Sequence, residues 1–156
     1  MEGARPANFA DVPRMAELWR LARTELEPER GGGVFMAREA RPEPVHSDFE
    51  SAIADRSRQA WVGTIDVQVI GYLVGHVEDL RDGHRLGVVE DIFVEAGARS
   101  VGVGEAMMDL ALPWFSEHGC AGVDAHALPG MRETKNFFET FGFTARLLVV
   151  HHKLGS

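Results

Sequence analysis

The chain has one cysteine, Cys120, in 156 residues. No intrachain disulfide can form, so a hydrophobic core must hold the fold, and the length allows a sizeable one. No apolar run approaches the roughly 18–20 residues of a membrane span. No basic stretch followed by an apolar one opens the chain, which predicts a cytoplasmic protein. Basic residues are the minority, 16 against 24 acidic, for a net charge of −8. That balance argues against nucleic acid and anionic membrane as partners and suits cationic ones. There is no fixed-period repeat and no long linker. With 45% apolar and 26% charged residues, the composition is that of an ordinary globular domain.

What is present reads as one α/β domain spanning 1–156. Asp11 is placed to cap a helix with Pro13 in its first turn, and Val12, Met15, Leu18, Trp19 and Ala22 follow at helical spacing. The Gly- and Pro-rich stretch Glu27 to Pro44 reads as a mobile loop. Ser47-Asp48-Phe49-Glu50 has the form of a capping box, which predicts a helix to about Arg58 that buries Phe49, Ala52 and Ile53. Trp61 to Ile65 and Val69 to Leu80 read as a β-hairpin, and Arg85 to Val94 as the next strand after the Asp82-Gly83 turn. Val103 to His118 reads as a helix kinked or frayed by Pro113, with Ala106, Met107, Leu110 and Trp114 on its buried face. Gly122 to Leu128 is a predicted strand, Arg132 to Phe141 a helix, and Phe143 to Lys153 a last strand. A first strand before Asp11 completes a mixed sheet with helices on both faces.

The segment most informative about chemistry runs from Glu90 to Gly104. A strand ends at Val94, and Arg99, Gly102 and Gly104 then open a helix in the pattern R-x-x-G-x-G. Glycines admit close backbone approach, and the first amides of a helix lack internal partners and sit at the positive end of its dipole. Together these make an anion site suited to phosphate. No Gly-Lys-Ser/Thr follows, so this is not a P-loop, and G-x-G-x-x-G is absent.

The segment resembles the signature of the GNAT superfamily of acyl-CoA-dependent N-acetyltransferases. The late phrase Asn136-Phe137-Phe138-Glu139-Thr140-Phe141-Gly142-Phe143 and the hairpin phrase Val69-Ile70-Gly71-Tyr72 strengthen the likeness, which is good from Trp61 to Phe143. The resemblance implies a largely antiparallel sheet whose central strands Arg85–Val94 and Gly122–Leu128 splay apart to admit acetyl-CoA. It implies that the pyrophosphate rests on the amides of Arg99, Ser100, Val101, Gly102, Val103 and Gly104, with Glu105 just inside the helix. It places the pantetheine arm along Ile92, Phe93 and Val94, and Asn136 and Phe138 beside the cofactor. No metal is implied.

An alkyl amine with a pKa near 10.4 must lose a proton before it attacks a thioester. Glu90 stands where several members of the family place the base, acting directly or through water. Asp91, by period two, points to the opposite face. The family's late-helix tyrosine is replaced by Phe138, and the only tyrosine is Tyr72. His126 is the candidate to protonate the leaving thiolate in its place. The implied activity is acetyl transfer to a primary amine, on a small molecule or a peptide. The rival reading is a catalytically weak acyl-CoA-binding regulatory module. Many members of the family are dimers, and nothing in the sequence forbids a homodimer.

Overall fold

The computed structural model describes residues 1–99 and 101–155. Five strands form one sheet in the order β1-β2-β3-β4-β5: Glu2–Pro6, Arg58–Ile65, Gln68–Asp79, Arg85–Val94 and Cys120–Ala125. The first four are antiparallel neighbours, and β5 joins β4 in parallel. The expected first strand is therefore present, as β1. The helices are α1 Val12–Leu26, α2 Gly32–Arg38, α3 Val45–Ala54, α4 Val103–Glu117 and α5 Arg132–Thr140. No helix of the described residues is long and apolar enough to cross a membrane.

Each face of the sheet carries its own core. On one side, Met15, Leu18 and Trp19 of α1 and Phe49 and Ala52 of α3 pack on Val62, Tyr72 and Val74. On the other, Val103, Met107, Met108, Ala111 and Phe115 of α4 pack on Trp61, Leu73 and Val89. Alternation along β2 and β3 sends neighbouring residues into opposite cores, as the strand period requires. The inward face of α4 differs from the predicted one. Met107 is buried and Trp114 packs on the same core, but their companions are Val103, Met108, Ala111 and Phe115, while Leu110 faces solvent. The helix runs through Pro113 to Glu117.

Four other local expectations are corrected. The stretch 27–44 is not all loop, because it folds α2. Asp11 stands at the start of α1 but does not cap it with its side chain, which instead takes a bidentate pair from Arg5 and the Asn8 amide. No capping box closes α3, which begins after Pro44, and Asp48 is used elsewhere. Finally, no strand forms over Phe143–Lys153. Phe143 packs on the second core, but Leu147 to Val150 stand in solvent.

Phe115 sets the approach of α4 to the sheet. A Cβ built on Gly87 would lie 2.5 Å from Phe115 Cδ1, and one on Gly75 2.6 Å from Phe115 Cζ. The ring thus fills the space that two glycines leave on β3 and β4. Phe115→Ala should cost about 3–5 kcal/mol, and Gly87→Ala about 1–3 kcal/mol through overpacking. In the Phe115→Ala background, Gly87→Ala should cost nearly nothing, since the clash partner is gone. Urea denaturation of the two single variants and the double variant checks this as a coupling energy.

Candidate active site

β4 pairs with β5 only as far as Val89↔Ala125. Beyond that point Asp91–Val94 still pairs with β3 but has no β5 partner, so the two strands separate. A cleft of about 750 Å³ opens there. One wall is the exposed edge of Ile92, Phe93 and Val94, another the start of α4 at Gly104 and Glu105, and a third His126, Phe137 and Phe138. Phe35, Met36 and Arg41, from the stretch between α1 and α3, cover the near side.

A buried charged cluster forms the floor. Its centre is Arg41, whose side chain is 1% exposed. The guanidinium binds Asp48 of α3 and Asp91 of β4 and reaches Glu90 at 3.4 Å, and it stacks over the Phe49 ring at 4.4 Å. Its Nε has no hydrogen-bond partner. Arg58 of β2 donates to Asp48 and to both oxygens of Glu90, at 2.9–3.2 Å. His76 of β3 places Nδ1 2.8 Å from Glu90 and Nε2 2.7 Å from Glu78. The Tyr72 hydroxyl donates to Asp91 at 2.8 Å.

The period-two expectation for Asp91 fails for a visible reason. Between Val74 and Gly75 the β3–β4 register shifts, so Val74 faces Asp91 while Gly75 faces Val89, and Glu90 is the extra residue. This bulge turns consecutive side chains toward one side, and both carboxylates reach Arg41.

The environment tunes these groups in opposite directions. Burial acts to raise the Glu90 carboxyl, but hydrogen bonds from His76 and Arg58 and the Arg41 charge overcome it and hold it down at about 2. Burial lifts Asp91 above its ordinary value, against the pull of Arg41 and Tyr72. The bond to Glu90 raises His76 above 6.5. Burial and then the Asp91 charge raise Tyr72 well above 10, so its hydroxyl stays a donor. Two neighbouring carboxylates are thus pushed apart in acidity, a pattern frequent at reactive sites.

The predicted site residues do not all converge. Glu90, Ile92, Phe93, Val94, Arg99, Gly104, Glu105, His126 and Phe138 line the cleft. Arg99 is already engaged: it donates to both Glu25 oxygens at 2.7 Å and to the Val94 carbonyl at 2.8 Å. Gly102 takes the left-handed φ of +87° that caps α4. Val101 is exposed, Val103 is buried in the second core, and exposed Asn136 does not line the cleft. Ser100 lies outside the described residues. His126 stands just beyond β5, its ring edge-on to Phe35 at 6.3 Å. The sequence reading missed Arg41, Asp48, Arg58, Tyr72 and His76. Period two could have put Tyr72 and the Glu90 region on adjacent strands, but nothing in the pattern marks Arg41.

The acetyltransferase (GNAT) family profile matches residues 15–143, and the chain belongs to that family. No curated protein is a significant sequence match to it. Solved structures of the same fold include a mutant form of a Bacillus halodurans protein, at TM-score 0.82, 17% identity, and coverage of 97% of this chain and 99% of that one. An aminoglycoside acetyltransferase from an uncultured soil metagenomic sample aligns at TM-score 0.71 and 17% identity over 99% of this chain and 96% of that one. A ribosomal-protein-alanine N-acetyltransferase from Brucella melitensis aligns at TM-score 0.70 and 17% identity, over 99% and 100%. No group of three metal-ligating side chains occurs among the described residues.

Arg41 is the buried partner shared by three carboxylates, so its loss should be severe. Arg41→Met should lower stability by about 3–5 kcal/mol at pH 7, the range for stranding buried charges. Glu90 contributes stability above its ordinary 4.5, and that contribution fades as pH falls toward about 2. In the variant the stranded carboxylates gain from protonation over the same range. The deficit should therefore be smaller at pH 4 than at pH 7, as read by urea denaturation at both.

Proposed function

We propose that the protein transfers an acetyl group from acetyl-CoA to a primary amine. The observation that carries this reading is the separation of β4 from β5 beside the start of α4. It supports a pantetheine arm paired with the free edge of Ile92–Val94 and a pyrophosphate on the amides of Val101–Glu105. Arg99, held by Glu25, then serves to fix the loop. The amine nitrogen attacks the thioester carbonyl, the tetrahedral adduct collapses, and the C–S bond breaks. The thiolate takes its proton from water or from His126. Carboxylates lining the cleft outnumber its arginines, eight to five, with Glu25 bound to Arg99, and that excess supports a cationic acceptor. The aminoglycoside and ribosomal-protein enzymes among the structural neighbours fit an acceptor of small-molecule or peptide kind. The acidic balance and single thiol support work in the cytoplasm, away from nucleic acid and membrane.

Glu90 remains the residue we assign to the amine proton, with its role narrowed by its acidity. A carboxyl at about 2 is ionised at every working pH but cannot hold a proton taken from an ammonium near 10.4. Glu90 therefore acts by its charge, orienting water that passes the ammonium proton on to bulk solvent and leaves the neutral amine to attack. His76 lines the cleft and meets Glu90 at Nδ1 and Glu78 at Nε2, so its ring, with a raised pKa, holds Glu90 in place rather than taking the proton.

Thiol release from acetyl-CoA across a panel of amines tests the activity. Glu90→Gln should lower kcat/KM by about 10²-fold or more, with a deficit that shrinks as pH rises and free amine accumulates. Activity equal to the parent protein from pH 6 to 9 would remove Glu90 from the reaction. His76→Gln keeps an amide donor toward Glu90 and should cost only a few fold; a loss as large as that of Glu90→Gln would give His76 a direct part in the proton's path.

A further inference from the structure

Among the described residues, Glu29 is the one half-buried carboxylate of the cleft without a partner. Glu25 is bound by Arg99, and Asp48, Glu90 and Asp91 are bound by Arg41 and Arg58. The remaining cleft carboxylates are exposed, where water solvates them. Glu29 sits in the turn between α1 and α2, and none of the described residues brings it a cation or donates it a hydrogen bond. The cleft's other arginines do not serve it: Arg23 pairs with Glu27 and Glu43, and Arg132 is exposed at the start of α5. A partly desolvated carboxylate is costly to keep unpaired, so its partner is to be sought outside the chain.

The place of Glu29 is set from across the cleft. The segment that carries it reaches the loop between β5 and α5, where Gly31 lies against Leu128 and Phe35 meets His126 edge-on. Glu29 itself rests on Gly130: a Cβ built there would come within 2.7 Å of Glu29 Oε2. A residue without a side chain is what lets the carboxylate lie at that point. The cleft therefore has one uncompensated charge on its cover and the Glu90 cluster on its floor.

We propose that Glu29 anchors a second cationic group of the acceptor, so that the preferred substrate is an alkyl diamine rather than a monoamine; this rests on the acetyl-transfer reading above. One nitrogen gives up its proton to the water that Glu90 orients and attacks the thioester carbonyl. Its C–N bond forms, the C–S bond breaks, and the departing thiolate takes a proton. The other nitrogen keeps its proton and donates a hydrogen bond to Glu29. That contact is the same before and during the reaction, so it acts on KM more than on kcat.

Thiol release from acetyl-CoA is measured with α,ω-diamines from propane to hexane and, for each, the n-alkyl monoamine of the same length. In the parent protein the best diamine should exceed its monoamine by about tenfold or more in kcat/KM, the worth of one charge-assisted contact. Glu29→Gln should bring that ratio to within about twofold of one, mainly through KM. Gly130→Ala keeps every charge, and its added Cβ displaces only the tip of Glu29, so the fold is retained while the ratio falls by about threefold. Glu133→Gln removes the same charge from an exposed position on the same cleft and should change the ratio by less than about twofold. A parent ratio near one overturns the proposal, as does a ratio that survives Glu29→Gln or Gly130→Ala, or that falls equally in Glu133→Gln. Turnover of no amine at all overturns the acetyl-transfer reading, and this proposal with it.

Discussion

The active-site end of this molecule depends on one buried cation. Arg41 comes from a stretch rich in glycine and proline, yet its guanidinium is sealed between α3 and β4 and holds Asp48, Glu90 and Asp91 together. Three carboxylates packed this closely would repel one another, and Arg41 offsets that repulsion together with Arg58, which binds Asp48 and Glu90. It also fixes the cover of the cleft, because the segment carrying Phe35 and Met36 can go only where Arg41 allows. His76, Arg58 and then Arg41 lower Glu90, while burial raises its neighbour Asp91, so the cluster sets the acid–base character of the site.

The sheet supplies the opening. Parallel pairing of β4 with β5 stops at Val89, and Asp91–Val94 beyond it keep one edge free while β3 holds the other. The bulge at Glu90 falls where pairing ends, so the strand turns two consecutive carboxylates to the cluster as it leaves its neighbour. On the opposite face, Phe115 draws α4 tightly to the glycines of β3 and β4, which aims the start of that helix at the cleft. The backbone groups for an extended ligand and the helix amides for its anionic end thus come from adjacent segments.

Much of this was legible from residue patterns. The strand–turn–helix around Arg99, Gly102 and Gly104 located the cleft, and the order of elements located the sheet. What failed did so for identifiable reasons. Period two misassigned Asp91 because a bulge is a register event between two strands and leaves no mark on one of them. Ser47 read as the cap of a capping box, but α3 already begins at Val45, so Ser47 lies inside its first turn and Asp48 pairs with Arg41 and Arg58. Arg41 had no periodic signal, since its burial is set by partners at other points of the chain. The final apolar run read as a strand, but it forms none and stands in solvent. Asn136, placed by family likeness, sits outside the cleft because its helix presents Phe137 and Phe138 to it instead.

The central claim is that the separation of β4 from β5 is a site for CoA. Hydrogen–deuterium exchange with and without saturating CoA tests it most directly. The account predicts slowed exchange confined to the amides of Ile92–Val94 and the turn Val101–Glu105, with the distal ends of β1 and β2 unchanged. Protection absent from both segments, or gathered on a different face of the sheet, would contradict it.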